Sequence, residues 1–258
     1  MKKNKIKDTG LEVTELSFGT SSLGSMPDTY GYEVPEQRAQ ETLKRFFQGP
    51  VNMLDTSRNY AMGESEKRIG IAINENGGWP ENFVLSTKID RNMDTLVLDK
   101  KRTRESIEES LKTLNVDSVD ALFLHDPEYV KDINEVTKKD GALDELFKIK
   151  EEGLAKAVGL AMGKIDIMFP ILRNWDFDVI INHNRYTLLN READKMYNYA
   201  HSKNISIFNA APYAGGVLAK GPSNFKKITY QDASEEKLAP AREIEKVCKK
   251  YNVEMGAA

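Results

Sequence analysis

Four residues of this 258-residue sequence stand where an apolar run gives way to a loop. The run at residues 51–54 ends on Asp55, and Tyr60 follows in the next turn, within VNMLDTSRNYAMGESEKRIG. FVLSTK ends on Lys88, and ALFLH ends on His125. Together these residue types suit one kind of chemistry. A free phenol ionises near ~10, too high for efficient proton exchange at neutral pH. A lysine cation beside it favours the phenolate and lowers that value. A carboxylate beside the lysine keeps it charged and in place. A histidine donates a hydrogen bond to a substrate oxygen and orients it. The set suits proton transfer to or from a carbonyl or alcohol oxygen. With neither a metal-ligand cluster nor a Ser or Cys nucleophile constellation, the matching step is hydride transfer with a nicotinamide. Singly, each residue has an ordinary reading: turn aspartate, packed tyrosine, rim lysine, core histidine. Their placement on successive strands argues for function.

The elements that would position them alternate. Short apolar runs at residues 51–54, 83–85, 121–124, 155–160, 179–181 and 205–208, with a weaker one at 15–18, have strand length and little alternation. That pattern suits strands buried on both faces of a parallel sheet. Between them, Ile107/Leu111/Leu114, Ala193/Met196/Tyr197/Ala200 and Ile244/Val247/Cys248/Tyr251 fall at helical spacing. A βα unit repeated about seven times suits an open doubly wound sheet or a (β/α)8 barrel. GxGxxG and GxxxxGK[ST] are both absent, which favours the barrel. In a barrel, consecutive strands are neighbours, so Asp55, Tyr60, Lys88 and His125 converge on one rim. The polar, aperiodic stretch 221–239 is expected to be a long loop or lid, not a domain boundary. One domain, residues 1–258, is expected.

Composition narrows the partners. Lys and Arg number 37 against 40 Asp and Glu, a net charge of −3, which gives no basic surface for nucleic acid or anionic membrane. No window approaches the roughly 18 apolar residues of a membrane span. The N-terminal MKKNKIKDTG has no apolar h-region of a secretory signal. The single Cys248 forms no intrachain disulfide, excludes metal sites of clustered Cys and His, and fits a cytoplasmic setting.

The segment LDTSRNYAMGESEKRIG resembles the first signature of the aldo-keto reductases, and EESLKTLNVDSVDALFLH resembles their second. LSTK is similar to the strand that carries the family's lysine, and TGLEVTELSFGTSSLG to its opening hairpin and first strand. The resemblance implies a (β/α)8 TIM barrel and an NAD- or NADP-dependent carbonyl reductase or alcohol dehydrogenase acting on a small molecule. It implies Tyr60 as acid/base, tuned by Lys88 and Asp55, with His125 orienting substrate. The fragments NAAPYAGGVLAKGP, NRYTLLNR and HDPE look closer to the L-fucose and D-threo-aldose 1-dehydrogenase branch, which oxidises the anomeric carbon of free sugars to lactones. The family also holds non-catalytic relatives, such as potassium-channel β subunits, and a binding role is the alternative.

Cofactor positions carry over by the same resemblance. Gly19 and Thr20 match the segment near the nicotinamide ribose, beside Asp55. Where the family often has Ser-Asn, this chain has Ala161 and Met162; His183 replaces a common Gln, and Ala210 a stacking Tyr. The segment with Pro212, Gly215, Gly216 and Leu218 resembles the pyrophosphate loop, whose backbone amides would face the phosphates. The loop 24–34, with Met26, Tyr30 and Tyr32, is expected to line the substrate pocket. The resemblance further implies a barrel lacking the eighth strand and last helix, with the edges of the first and seventh strands open, and hence low solubility or dimerisation through that edge.

Overall fold

The computed structural model describes residues 1–258. An antiparallel hairpin, β1 (Lys3–Lys5) and β2 (Glu12–Thr14), comes first. Seven parallel strands follow in spatial order of sequence: β3 (Phe18–Gly19), β4 (Met53–Asp55), β5 (Val84–Ile89), β6 (Val119–His125), β7 (Ala155–Met162), β8 (Val179–His183) and β9 (Ser206–Ala210). A second small hairpin, β10 (Lys227–Ile228) and β11 (Gln231–Asp232), lies beyond them.

Strand alternation divides the apolar side chains between two cores. Leu54, Leu85, Ile89, Leu122, Leu124, Val158, Leu160 and Ile180 face the outer core. There they meet helices such as Glu64–Glu75, Lys100–Leu114 and Ala142–Glu151. Met53, Val84, Ala121, Phe123, Ala157, Val179 and Ile181 face an inner core. A sheet with an inner and an outer core is curled, which is why its strands lack the one-sided polar alternation of an exposed sheet. Close helix packing depends on Gly70, because a Cβ there would strike the Thr113 carbonyl of the next helix. No helix is long and apolar enough to cross a membrane.

The curl stops short of closure: β3 and β9 each pair with one neighbour only. Loops bridge the gap at both ends. Below, Ile6, Leu11 and Val13 of the first hairpin plug the inner core. Lys7 ties that hairpin across the gap, its amide donating to Ser206 Oγ (3.0 Å) and its Nζ to Asp176 (2.6 Å). Above, Tyr30 of the loop after β3 meets Tyr230 of the second hairpin edge-on, ring centres 5.7 Å apart.

The expected loop at 221–239 is corrected in part. It contains the second hairpin, and helix Glu235–Lys250 begins inside it, capped by Ser234. The charged surface of that helix hides a sparse stripe, Leu238, Ala241 and Cys248, which packs on Ala214, Val217 and Leu218.

One acid between helix and sheet gives stability a pH dependence. Glu66 is fully buried and accepts a hydrogen bond from Thr87 Oγ1 at 2.5 Å. Burial pushes its carboxyl up to about 7. The folded state thus holds this proton more tightly than the unfolded chain. The stabilisation is full below the ordinary carboxyl range and is lost as pH rises through about 7. Between pH 5 and 8, urea denaturation of the Glu66→Gln variant should lose roughly 2–3 kcal/mol less than the parent. Parallel pH curves would exclude Glu66 as the source.

Candidate active site

The C-terminal ends of β4, β5 and β6 lie side by side, with Asp55 in register with Ser86 and Lys88 with Phe123. The three expected strand-end groups therefore share one rim, and the turn after β4 returns Tyr60 to it. Lys88 is only 2 % exposed. Its ammonium has three donors, and each finds an acceptor: Asp55 Oδ2 at 2.7 Å, the Thr56 carbonyl at 2.6 Å and Tyr60 Oη at 3.0 Å. Ser86 Oγ donates to the other Asp55 oxygen at 2.6 Å. His125 presents its ring edge-on to Tyr60, centres 5.9 Å apart. The sequence-predicted tetrad is thus one contiguous cluster.

The turn that carries Tyr60 is strained. Ala61 and Met62 both adopt left-handed conformations (φ 51° and 55°), which cost L-residues about 1–2 kcal/mol each. Gly24 packs against this turn so closely that a Cβ would collide with Ala61.

The charge states differ from the sequence expectation in one respect. Burial pushes the Tyr60 phenol up. Lys88 pulls it down and Asp55 pushes it up again, and the net direction is up. Burial outweighs the acidifying effect of Lys88, and Asp55 opposes that effect further. Burial alone would push Lys88 down, but Asp55 and Tyr60 raise it above the ordinary lysine range, so it stays charged. The site holds a neutral phenol on a fixed ammonium. That arrangement can donate a proton and stabilise the phenolate left behind.

The sequence reading missed Asp90. It is 2 % exposed and accepts from His125 Nδ1 (2.7 Å), Ser57 Oγ (2.6 Å) and the Asn59 amide (2.9 Å). The available signal was its spacing from Lys88, since residues two apart on a strand share a face.

The expected cofactor residues divide into two groups. Gly19 ends β3 opposite Asp55. Thr20 is buried, and its amide and hydroxyl both donate to the Asp55 carbonyl (3.0 and 2.9 Å), so neither is left for a ligand. His183 and Ala210 end β8 and β9 in register. His183 packs on Gly163 and places Nε2 3.7 Å from Asp126 Oδ1. Asp126 Oδ1 and Glu128 Oε2 are buried without hydrogen-bond partners. These acceptors suit the donors of a carboxamide, so this end of the rim fits a nicotinamide.

The segment expected to cradle a pyrophosphate is folded on itself in this structure. The amides of Gly216 and Leu218 both donate to the Tyr213 carbonyl (2.9 and 3.2 Å), and the Thr229–Tyr230 backbone lies over Gly215. The loop closes on itself because a single carbonyl collects those amides. Pro212 is exposed beside it. Met26 sits half-buried in the loop after β3 and is not part of the tetrad cluster.

Residues 15–258 match the aldo/keto reductase family. The chain is 29% identical over 238 residues to an L-galactose dehydrogenase of Arabidopsis thaliana, covering 91% of this chain and 72% of the relative. It is 27% identical over 275 residues to a D-threo-aldose 1-dehydrogenase of a Pseudomonas species, covering 96% and 81%. The fold is shared with a holo-form aldo-keto reductase from Bacillus halodurans, with a TM-score of 0.75, 23% identity and coverage of 94% of this chain and 76% of that one.

The buried pair has an asymmetry that stability measurements can read. Asp55→Ala leaves an ammonium with almost no access to water and should cost about 3–5 kcal/mol. Lys88→Met leaves Asp55 partly exposed, bonded to Ser86, and should cost less. The double variant should regain part of the Asp55→Ala loss in urea denaturation. Simple additivity of the two losses would show that the pair is not coupled.

Proposed function

We propose, on the premise that this chain belongs to the aldo/keto reductase family, that it oxidises the anomeric carbon of a free aldose and reduces the corresponding carbonyl, with Tyr60 as acid/base. The observation that carries this reading is the single ammonium of Lys88 bridging Asp55 and Tyr60 beside His125. The aldose class follows the names of the relatives, L-galactose dehydrogenase and D-threo-aldose 1-dehydrogenase. When bound, the nicotinamide of NAD or NADP supplies or accepts the hydride. Asp126, Glu128 and His183 would hold its carboxamide, and the two unpartnered carboxylate oxygens support that reading.

The chain's own groups handle the proton. In reduction, Tyr60 donates its hydroxyl proton to the carbonyl oxygen. The phenolate that remains is stabilised by Lys88 at hydrogen-bond distance, and Asp55 and the Thr56 carbonyl keep that cation from moving. In oxidation the same oxygen takes the proton back. His125 fixes the substrate oxygen against Tyr60. The apolar walls from the inner core exclude water beneath the site, which strengthens each of these interactions.

Replacing Tyr60 with Phe tests the assignment. Turnover of L-galactose or L-fucose should fall by at least about 100-fold, the usual scale for a lost general acid/base. Binding of NADH or NADPH, followed by fluorescence titration, should be unchanged. Unchanged turnover in the variant would remove Tyr60 from the chemistry.

A further inference from the structure

The expected task of His125 is to donate a hydrogen bond to the substrate oxygen. Its surroundings set a condition on that task. Asp90 Oδ1 lies 2.7 Å from Nδ1, and a carboxylate can only accept. Ser57 Oγ also lies near Nδ1, at 3.1 Å, but its hydrogen is directed to Asp90 Oδ2 at the shorter distance of 2.6 Å. No donor is therefore left to face a bare Nδ1, and the ring's first hydrogen must sit on Nδ1. Nε2 makes no hydrogen bond within the chain, and Asp126 Oδ2 lies 3.8 Å from it. With Nδ1–H fixed, a neutral ring presents Nε2 as an acceptor. Only the doubly protonated ring can donate from Nε2.

We propose that Asp90 is a positioning residue that locks His125 in the Nδ1–H form and makes its hydrogen-bond donation to a carbonyl oxygen conditional on the charged, imidazolium state. This deepens the oxidoreductase reading of the same site and rests on it. The same carboxylate also holds the Ser57–Asn59 turn that precedes Tyr60, so one buried group sets both the ring and the phenol. The charged and titratable groups around the ring are Asp90 from the end of β5, Asp126 next in sequence, Lys88 from β5 and, beyond Asp126, the imidazole of His183. Tyr60 faces it as a neutral phenol. Burial pushes the imidazole down, but Asp90 and Asp126 raise it above its ordinary value. Below that raised pKa the site offers a substrate carbonyl two donors, Tyr60 and His125. Above it, Nε2 turns acceptor and the site disfavours the carbonyl form.

Nitrogen-15 NMR of the intact chain reads the tautomer and pKa directly, with His125 assigned by difference against His183→Gln and His201→Gln. The wild-type ring should carry its hydrogen on Nδ1 when neutral and titrate above the ordinary histidine value of about 6.5. Asp90→Asn keeps an oxygen acceptor but removes the charge. It should retain the Nδ1–H form and titrate at least about one pH unit lower. The falling limb of kcat/KM for carbonyl reduction should move down by the same amount, a loss of about fivefold at the wild-type midpoint that approaches about tenfold at higher pH. A wild-type neutral ring with its hydrogen on Nε2, or an Asp90→Asn titration that does not move, overturns the proposal without recourse to activity. If the NMR result holds but no sugar or carbonyl is turned over, the pairing stands and it is the oxidoreductase reading that fails.

Discussion

A lysine side chain with almost no water around it must find its solvation in the protein, and the mouth of this sheet is arranged around that requirement. Lys88 meets it with three oxygens drawn from one short segment: the Asp55 carboxylate, the Thr56 carbonyl and the Tyr60 hydroxyl. The segment cannot move without stranding the cation, whereas Asp55 keeps Ser86 and some access to solvent. Tyr60 is thereby held at a fixed distance from a permanent positive charge. The strained left-handed residues after it persist because these contacts over-determine the turn.

The alternation of β5 extends the arrangement by one layer. Lys88 points into the barrel, Ile89 joins the outer core, and Asp90 points back to the mouth. One strand end thus supplies a cation to the phenol and an anion to the imidazole. The two partners are shifted in the same sense around a shared cleft: burial and Asp55 hold the phenol protonated, and Asp90 and Asp126 favour the charged imidazole. Both shifts favour proton-bearing groups facing the same substrate oxygen, which suits a site that must stabilise negative charge on that oxygen.

The sheet itself is open between β3 and β9, and its ends are held by contacts that are not strand pairs. The first hairpin plugs the inner core below and is tied across the gap through Lys7, Ser206 and Asp176. The loop after β3 and the second hairpin meet above through two tyrosines. The same second hairpin lies over Gly215, so the loop expected to cradle phosphate is part of the bridge across the mouth.

The amino-acid sequence by itself determined the strand runs, the βα order and the tetrad. Apolar runs ending on Asp55, Lys88 and His125 carry their own register, and parallel neighbours bring such ends together. Helix Glu235–Lys250 was legible only in its second half, through the spacing of Ile244, Val247, Cys248 and Tyr251; its first turns were not, because Leu238 and Ala241 are too sparse a stripe to stand out from their charged neighbours. Asp90 was illegible for another reason: an aspartate after a strand is ordinary until its partners are known, and Ser57 and His125 lie 33 and 68 residues apart from Asp90 and from Ser57 respectively. Tertiary structure alone decided the protonation of the site. The sign of the Tyr60 shift depends on how burial weighs against one cation already shared with Asp55, and that balance is a property of distances, not of residue types.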